Sequence, residues 1–454
     1  MSKIKDEDRK MLIRRCEAVL QILIFTVLYY LMWKISYSEM TFAYLGRGKY
    51  ILMGVYAIFA IVLFYYSDSF NYGNVKLSDI IVSQWIAILL VNFITYWQLC
   101  LISNVMITPV PMLLLTLIDG FVSLGCCYLY NLIYLKNQSP RNLLMVYGNE
   151  DAIELEAKMA VRTDKYHFAE MVSAEEGLEQ ICKKIQKYDS VLLNDVPAQL
   201  RNDILKYCYS HEIRVYATPK LTDIIMSGGE EINLFDTPLR LIKGQGLTLE
   251  QRFVKRTMDI VLCSIAMIVA APIMLVVAIA IKLEDGGPVF FTQKRATIDG
   301  KTFDILKFRS MIVDAEKFGE VIPATDRDPR ITKVGNVIRA TRIDELPQIL
   351  NILKGEMSIV GPRPERVEHV EKYSKDIPEF AYRLKVKGGL TGYAQIYGKY
   401  NTSAYDKLRL DLMYIEKYSL LLDIKLILMT LQIMLRKEST EGFKNEKEET
   451  HTGH

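Results

Sequence analysis

Four apolar segments crowd the first third of the chain, at 18–36, 50–66, 80–102 and 106–135, and nothing else constrains its folding as strongly. Each is near the ~20 residues that an α-helix needs to cross a bilayer. The second is short, and the fourth is long and carries Pro109 and Pro111. Tyrosines and tryptophans gather near several of the ends, as interfacial anchors do. Basic residues set the orientation. Six of them (Lys3, Lys5, Arg9, Lys10, Arg14, Arg15) precede the first segment. The first loop has Lys34, Arg47 and Lys49, the second only Lys76, and the third none. The positive-inside rule then holds the N-terminus in the cytoplasm. Four transmembrane helices within 1–137 return the chain to that side near Lys136. The start "MSKIKDEDRKMLIRRC" is too long and too mixed in charge for a signal-peptide n-region. No small-residue cleavage site follows the first apolar run, so no cleavage is expected.

At 454 residues the chain has room for about three domains. Half of it is hydrophobic, which fits a membrane protein with substantial water-soluble parts. A net charge of +3 provides no general basic field, so nucleic acid is not an expected partner. The seven cysteines show no CxxC and no metal-ligand spacing, and they read as reduced, small hydrophobes. From 142 to 220 the texture changes. "RNLLMVYG", "SVLLND" and "IRVYATP" are strand-like runs separated by helical stretches, a pattern that predicts a small Rossmann-like α/β module. Its first strand ends in "YGNED" rather than GxGxxG, so a dinucleotide site is not expected. Residues 221–250, with Gly228, Gly229, Gly244 and Gly246, read as an irregular linker.

A fifth apolar segment runs from Met258 to Gly286 with basic residues on both sides: Lys243, Arg252, Lys255 and Arg256 before it, Lys282, Lys294 and Arg295 after it. The positive-inside rule asks both ends to stay in the cytoplasm. Pro272, near the middle, removes a helix hydrogen bond and bends the axis. Two readings satisfy these residues: a re-entrant helix bent at Pro272, and a kinked spanning helix. Beyond it, "SLLLDIKLILMTLQIMLRK" carries Asp423 and Lys425 in an apolar run, which suits a helix lying on the membrane surface. The polar tail, 439–454, reads as disordered.

The stretch "RATRIDELPQILNILKGEMSIVGPRPE" concentrates the chemistry. Leu346, Ile349, Leu350, Ile352 and Leu353 follow a helical period, and Pro347 suits a first helical turn. Asp344 and Glu345 therefore stand at a helix N-terminus, where unpaired N–H groups favour a phosphate. Two carboxylates there offer Mg²⁺ the oxygen ligands that it prefers. Arginines around them supply paired donors for a diphosphate. Taken alone, an Asp-Glu pair before a helix is more often a cap with surface ion pairs. Arg363 of "GPRP" strengthens the functional reading by joining the same basic neighbourhood. "QKRATIDGKTFDILKFRSM" and "DPRITKVGNVIRATR" add Lys307, Arg309, Arg330, Lys333, Arg339 and Arg342, and so much positive charge around one acidic pair suits a polyanionic substrate.

Together, "GPVFFTQKRATIDGKTFDILKFRSM", "DPRITKVGNVIRATRIDELPQILNILKGEMSIVGPRPE", "KRTMDI", "GLTGYAQIYG" and "YDKLRLDLMYIEKYSLLLDIKLILMT" resemble the bacterial sugar transferase family, the monotopic polyprenyl-phosphate phosphoglycosyl transferases. The likeness spans about 250–437. The four spans and α/β module before it resemble the large members of that family. The resemblance implies a four-span α-helical bundle, a Rossmann-like module, and a mostly α catalytic domain over 251–438 with a re-entrant helix at about 257–284. It implies transfer of a sugar-1-phosphate from a UDP-sugar to undecaprenyl phosphate at the start of surface-polysaccharide assembly. Asp344 would be the nucleophile, releasing UMP, and Glu345 would be a metal helper or base. Mg²⁺ would sit at the dyad. Arg339 and Arg363 would bind phosphate, with Lys307 and Arg309 as the family's Lys-Phe-Arg pair. A cytoplasmic catalytic domain on the bacterial inner membrane follows, and with it the re-entrant reading of Pro272, since a fifth crossing would put Asp344 outside. Large members also suggest a homodimer. Two departures stand out: Ala271-Pro272 where the family has Ser-Pro, and Gly388 where it has proline. The competing reading is a non-enzymatic four-span sensor or scaffold with a cytoplasmic regulatory domain. It accounts for residues 1–220, but not for the dyad, arginines and hairpin together.

Overall fold

The computed structural model describes residues 2–41, 46–72, 75–136, 140–149, 152–234, 236–313, 328, 330–398 and 402–434. The tail at 439–454 lies outside them. Helices α1 (Ser2–Ser36), α2 (Gly48–Tyr66), α3 (Leu77–Ser103) and α4 (Val110–Lys136) realise the four apolar segments. Each is long and apolar enough to cross a membrane. The fourth is shorter than its apolar run because α4 starts at Val110. Pro109 stays outside it, and Pro111 falls in the first turn, where a missing N–H costs nothing.

The chain divides into two compact units. The first comprises Met1–Gln21, Tyr72–Leu77 and Phe121–Asp223. Its soluble part is a parallel sheet of β1 (Arg141–Tyr147), β2 (Tyr166–Ser173), β3 (Ser190–Asn194) and β4 (Arg214–Ala217), in the order β2-β1-β3-β4. Helices α5 (Ala152–Ala160), α6 (Leu178–Ile185) and α7 (Ala198–Ser210) connect the strands. The two central strands are near-continuous apolar runs because helices cover both their faces. Leu144, Val146, Val191 and Leu193 pack with Ile181, Ile185, Ile204 and Cys208. The expected α/β module is thus present, with one strand more than its apolar runs suggest. β2 is an edge strand in which only Val172 is buried, so it lacks an apolar run to betray it. The carboxyl ends of β1 and β3 are tied together: Gly148 N–H donates to the Asn194 carbonyl at 3.0 Å, and Asn149 Nδ2 to Asp195 Oδ2 at 3.1 Å. A side chain on Gly148 would collide with the Asp195 carbonyl.

The second unit takes Ile22–Asn71, Ser78–Gly120 and everything from Ile224 onward. Its apolar helices interlock through rings and a few polar groups. Tyr29 stacks on Tyr56 with ring centres 4.3 Å apart. Asn92 donates to Thr116 Oγ1 at 3.0 Å and to Asp119 at 3.2 Å. After α8 (Leu221–Ser227), the linker expected to be irregular forms a hairpin of β5 (Glu230–Leu234) and β6 (Thr237–Leu241). Its strands are exposed and held by cross-strand pairs such as Arg240–Glu231 at 2.7 Å. Polar strands of this kind carry no apolar signature, which is why the sequence reads as a connector.

Helix α9 (Leu249–Asp285) opens with a Thr248–Gln251 capping box and continues through Pro272. One of its faces lies against a single domain along much of its length. Cys263 and Ala270 pack on Phe303, Ile305 and Ile349, while Val277 and Ile281 pack on Phe308 and Ile338. The opposite face exposes Ile265, Ile268, Val269, Leu275 and Val276. The domain beneath it begins with the antiparallel hairpin of β7 (Phe290–Ala296) and β8 (Thr302–Phe308). It continues through α10 (Lys333–Ala340), α11 (Gln348–Lys354), β9 (Ser358–Val360), α12 (Val367–Asp376), β10 (Gly389–Thr391), α13 (Tyr393–Tyr397), α14 (Ala404–Glu416) and α15 (Leu420–Met434). The charges in α15 correct an expectation. Asp423 does not face a membrane surface; it is fully buried, bonded to Lys255 Nζ at 2.6 Å and to Tyr414 Oη at 2.8 Å. Lys425 pairs with Asp68 at 2.9 Å. Each charge is neutralised by a partner distant in sequence, which local periodicity cannot reveal.

Candidate active site

Asp344 and Glu345 sit in a single 3₁₀ turn, Ile343–Glu345, just ahead of α11. Arg342 enters that turn in the left-handed region, at φ 56°. Pro347 caps α11 instead of lying inside it, so the dyad is one short turn removed from the helix expected to begin beside it. That turn is pinned from two sides. Asn351, buried in α11, accepts from Leu306 N–H at 2.9 Å and donates to the Asp304 carbonyl at 2.8 Å, which joins α11 to the edge of β8. Arg256 of α9 donates to the Ile352 and Leu353 carbonyls at 2.6 and 2.7 Å, closing the C-terminal end of α11 with a cation where the helix dipole favours one.

β8 then delivers Lys307 to the dyad. Its Nζ lies 2.7 Å from Glu345 Oε1, and Arg363 Nη2 donates to the same oxygen at 3.2 Å. Burial pushes the Glu345 carboxyl up, but Arg363 and Lys307 outweigh it and hold the group well below the usual carboxylate range. Asp344 goes the other way. Burial raises its pKa, Lys307 opposes that, and the neighbouring Glu345 charge adds to it. Among the described residues Asp344 forms no ion pair. The dyad is therefore asymmetric: one carboxylate is clamped between cations, and the other is half-buried and unclamped. Burial also pushes the Lys307 ammonium down, against the pull of Glu345.

Of the residues expected at the site, Asp344, Glu345, Lys307 and Arg363 come together. Arg339, in the last turn of α10, is close enough for its charge to favour the ionised form of Asp344. Arg309 is set apart. Its guanidinium forms a bidentate pair with Asp285 at the end of α9 and donates to the Pro288 carbonyl at 2.7 Å, so it fastens the helix to the domain. Pro272 lies inside α9.

Residues that the sequence reading passed over hold the Arg363 turn. Arg383, 3% exposed, pairs with the 1% exposed Asp411 at 2.7 Å and donates to the Arg363 carbonyl at 3.0 Å. A Cβ on Gly388 would stand 2.5 Å from Pro364 Cγ, so the missing side chain lets the Gly-Pro-Arg-Pro turn pack directly on this strand's approach. Gly388, where the family has proline, thus lies against the turn that carries Arg363. The "KRTMDI" motif clamps α9 to the domain: Lys255 binds Asp423, Arg256 binds α11, and Asp259 accepts from Ser358 Oγ at 3.1 Å and Ile359 N–H at 3.0 Å. The available signal was charge inside an otherwise apolar helix, which calls for a buried partner.

Comparison with known proteins agrees with this geometry. The model of the family described as "Bacterial sugar transferase" matches residues 250–437. A UDP-glucose:undecaprenyl-phosphate glucose-1-phosphate transferase of Escherichia coli (strain K12) is 43% identical over 210 residues, covering 45% of this chain and 43% of the relative. The Klebsiella pneumoniae protein of the same name is 39% identical over 264 residues, 56% and 54% of the two chains. The chain thus spans about half the length of these two relatives. A UDP-N-acetylgalactosamine-undecaprenyl-phosphate N-acetylgalactosaminephosphotransferase of Aeromonas hydrophila is 33% identical over 325 residues, 69% of this chain and 71% of the relative. With the dyad, its clamping cations and the Gly-Pro-Arg-Pro turn assembled in the matched region, this chain belongs to the bacterial sugar transferase family.

Proposed function

We propose that this protein transfers a sugar-1-phosphate from a UDP-sugar to undecaprenyl phosphate, the step that begins assembly of a surface polysaccharide. The observation that carries the reading is the asymmetric dyad: Asp344, unclamped, beside Glu345, which two cations keep ionised. An Asp344 oxygen attacks the sugar-bearing phosphorus, and the bond from that phosphorus to the bridging oxygen breaks. UMP leaves with the electron pair. An oxygen of the lipid phosphate then attacks the same phosphorus, the bond to Asp344 breaks, and the carboxylate is restored. One hard displacement becomes two easier ones. Arg363, Lys307 and Arg339 meet the charge on the diphosphate. Glu345, held ionised, is a poor proton acceptor at neutral pH and acts by electrostatics.

Mg²⁺ fits the donor set. Both cations bond to Oε1 of Glu345, which leaves Oε2, and Asp344 adds its carboxylate; Mg²⁺ is commonly held by one or two carboxylates with substrate phosphates and water. Asp344 and Glu345 would hold the ion, which would offset charge on the diphosphate. The relatives named above act on UDP-glucose and UDP-N-acetylgalactosamine, so the donor class is a UDP-sugar.

The catalytic domain faces the cytoplasm in this reading. α15 is bonded to the α2–α3 turn through Lys425–Asp68 and Gln432–Ser67. If α1 and α2 each cross once, that turn lies on the side of the N-terminus, which carries the basic cluster. A re-entrant α9 is supported by its two ends: Arg256 bonds to α11 and Asp285 to Arg309, both in the same domain. A homodimer, suggested by the large family members, would show as twice the protomer mass in the detergent-solubilised particle.

The test is UMP release from a panel of UDP-sugars with undecaprenyl phosphate and Mg²⁺. Asp344→Asn should abolish it, and donor without acceptor should leave a hydroxylamine-sensitive phosphate label on Asp344. Polysaccharide that persists in cells lacking both acids would favour the scaffold reading.

A further inference from the structure

One arginine beside the dyad has no role in the transfer just described. Arg295, next to last in β7, is half-buried beside Arg363. Its Nη1 donates to the Pro364 carbonyl at 3.1 Å and its Nη2 to Gln293 Oε1 at 2.7 Å. Its Nε is buried and has no hydrogen-bond partner. Among the described residues no carboxylate lies within ion-pairing distance of it. Burial, and after it the neighbouring Arg363, bring its pKa down to about 10. A guanidinium in this state is costly: it is desolvated, crowded by like charge, bonded only to neutral acceptors, and left with one donor unused. Packing alone would be served better by an apolar side chain.

What the arginine secures is the turn that carries Arg363. Ala296 N–H donates to the Glu365 carbonyl at 3.0 Å, and Arg295 and Arg366 pair as an isolated antiparallel bridge, so β7 runs alongside the turn. Arg295 holds the Pro364 carbonyl, and Arg383 holds the Arg363 carbonyl at 3.0 Å. Two consecutive peptide carbonyls are thus gripped by two different guanidinium groups. Charge-assisted bonds of this kind resist rotation of the turn. The like charge of Arg295 repels the Arg363 side chain, and Glu345 receives it at 3.2 Å.

We propose that Arg295 is a positioning residue of the transfer site, which fixes the Arg363 guanidinium on the dyad by holding the Pro364 carbonyl and by like-charge repulsion. The proposal rests on the phosphosugar-transfer reading and goes beyond it by assigning a second row to the diphosphate clamp. A residue that acts through Arg363 must lose its effect when Arg363 no longer offers a fork.

UMP release against donor concentration, measured for the full-length protein, decides this. Arg295→Ala should lower kcat/KM about 10- to 100-fold, the scale of a 1 Å misplacement. In an Arg363→Lys background the same substitution should cost less than about twofold, because coupled sites are not additive. Arg295→Lys keeps the charge but not the fork and should fall between. If Arg295→Ala does not fold, the Lys variant carries the same comparison. Wild-type turnover in Arg295→Ala, or an undiminished loss in the Arg363→Lys background, overturns the positioning role. A folded wild type that releases no UMP from any donor would overturn the transfer reading itself, and the proposal with it.

Discussion

Lys307 is the side chain on which the two acids diverge. It bonds to Glu345 and lowers its pKa, and from the same place it opposes the burial that raises Asp344. In the proposed transfer Asp344 must be ionised to attack, so the acid limb of kcat/KM should lie above the ordinary Asp range. Removing Lys307 removes a stabilising cation and raises the Asp344 pKa further. Lys307→Met should therefore move that limb to higher pH, as read from a pH–rate profile. Asp344→Asn keeps the shape of the side chain and deletes its nucleophilic charge, so turnover should drop by about a thousandfold or more. Glu345→Gln should weaken rather than abolish UMP release, and the residual rate should respond less to added Mg²⁺.

At the scale of elements, a short helix is held by its ends. α11 has only seven residues, below the length that is stable by itself. Arg256 and Asn351 hold it between α9 and β8 and so fix the dyad turn ahead of it. The Arg363 turn depends on the buried Arg383–Asp411 pair in the same way. Breaking such a pair from one side strands a charge, at a cost of about 3–5 kcal/mol. Arg383→Met should lower the thermal unfolding midpoint in detergent. Arg383→Met with Asp411→Leu should recover most of it, yet should not restore UMP release, because the Arg363 carbonyl stays unheld.

Across the whole second unit, α15 joins the domain that carries the dyad to the apolar bundle. Lys425 meets Asp68 at 2.9 Å, and Gln432 donates to the Ser67 carbonyl and Ser83 Oγ, both at 2.9 Å. The ion pair is partly exposed and contributes about 1 kcal/mol. Reversing one charge should slow acceptor-dependent turnover, and the swap Asp68→Lys with Lys425→Asp should restore it. Unchanged turnover in Asp68→Lys would show that the bundle does not set the position of the domain. Both ends of α9 should also react from one side. Gln245→Cys and Gly286→Cys, in a background without the exposed Cys16, should be labelled by an impermeant maleimide in inverted vesicles and protected in intact cells.

The spans, the α/β alternation and the dyad with its arginines were legible in the residues, because each is a local signal: a run of apolar length, a strand period, or charges adjacent in the chain. Strand β2 and the exposed β5–β6 hairpin were hidden, since edge strands carry mixed polarity. So were Asn351, Arg383 and the buried pairing of Asp423 with Lys255, whose partners stand 45, 28 and 168 positions away. Local sequence determined which charged and apolar groups the chain has to place, because charge and hydropathy are properties of the residue. Only the tertiary structure decided which carboxylate is clamped and which is left free, because desolvation and Coulomb attraction depend on what the fold brings within a few ångströms.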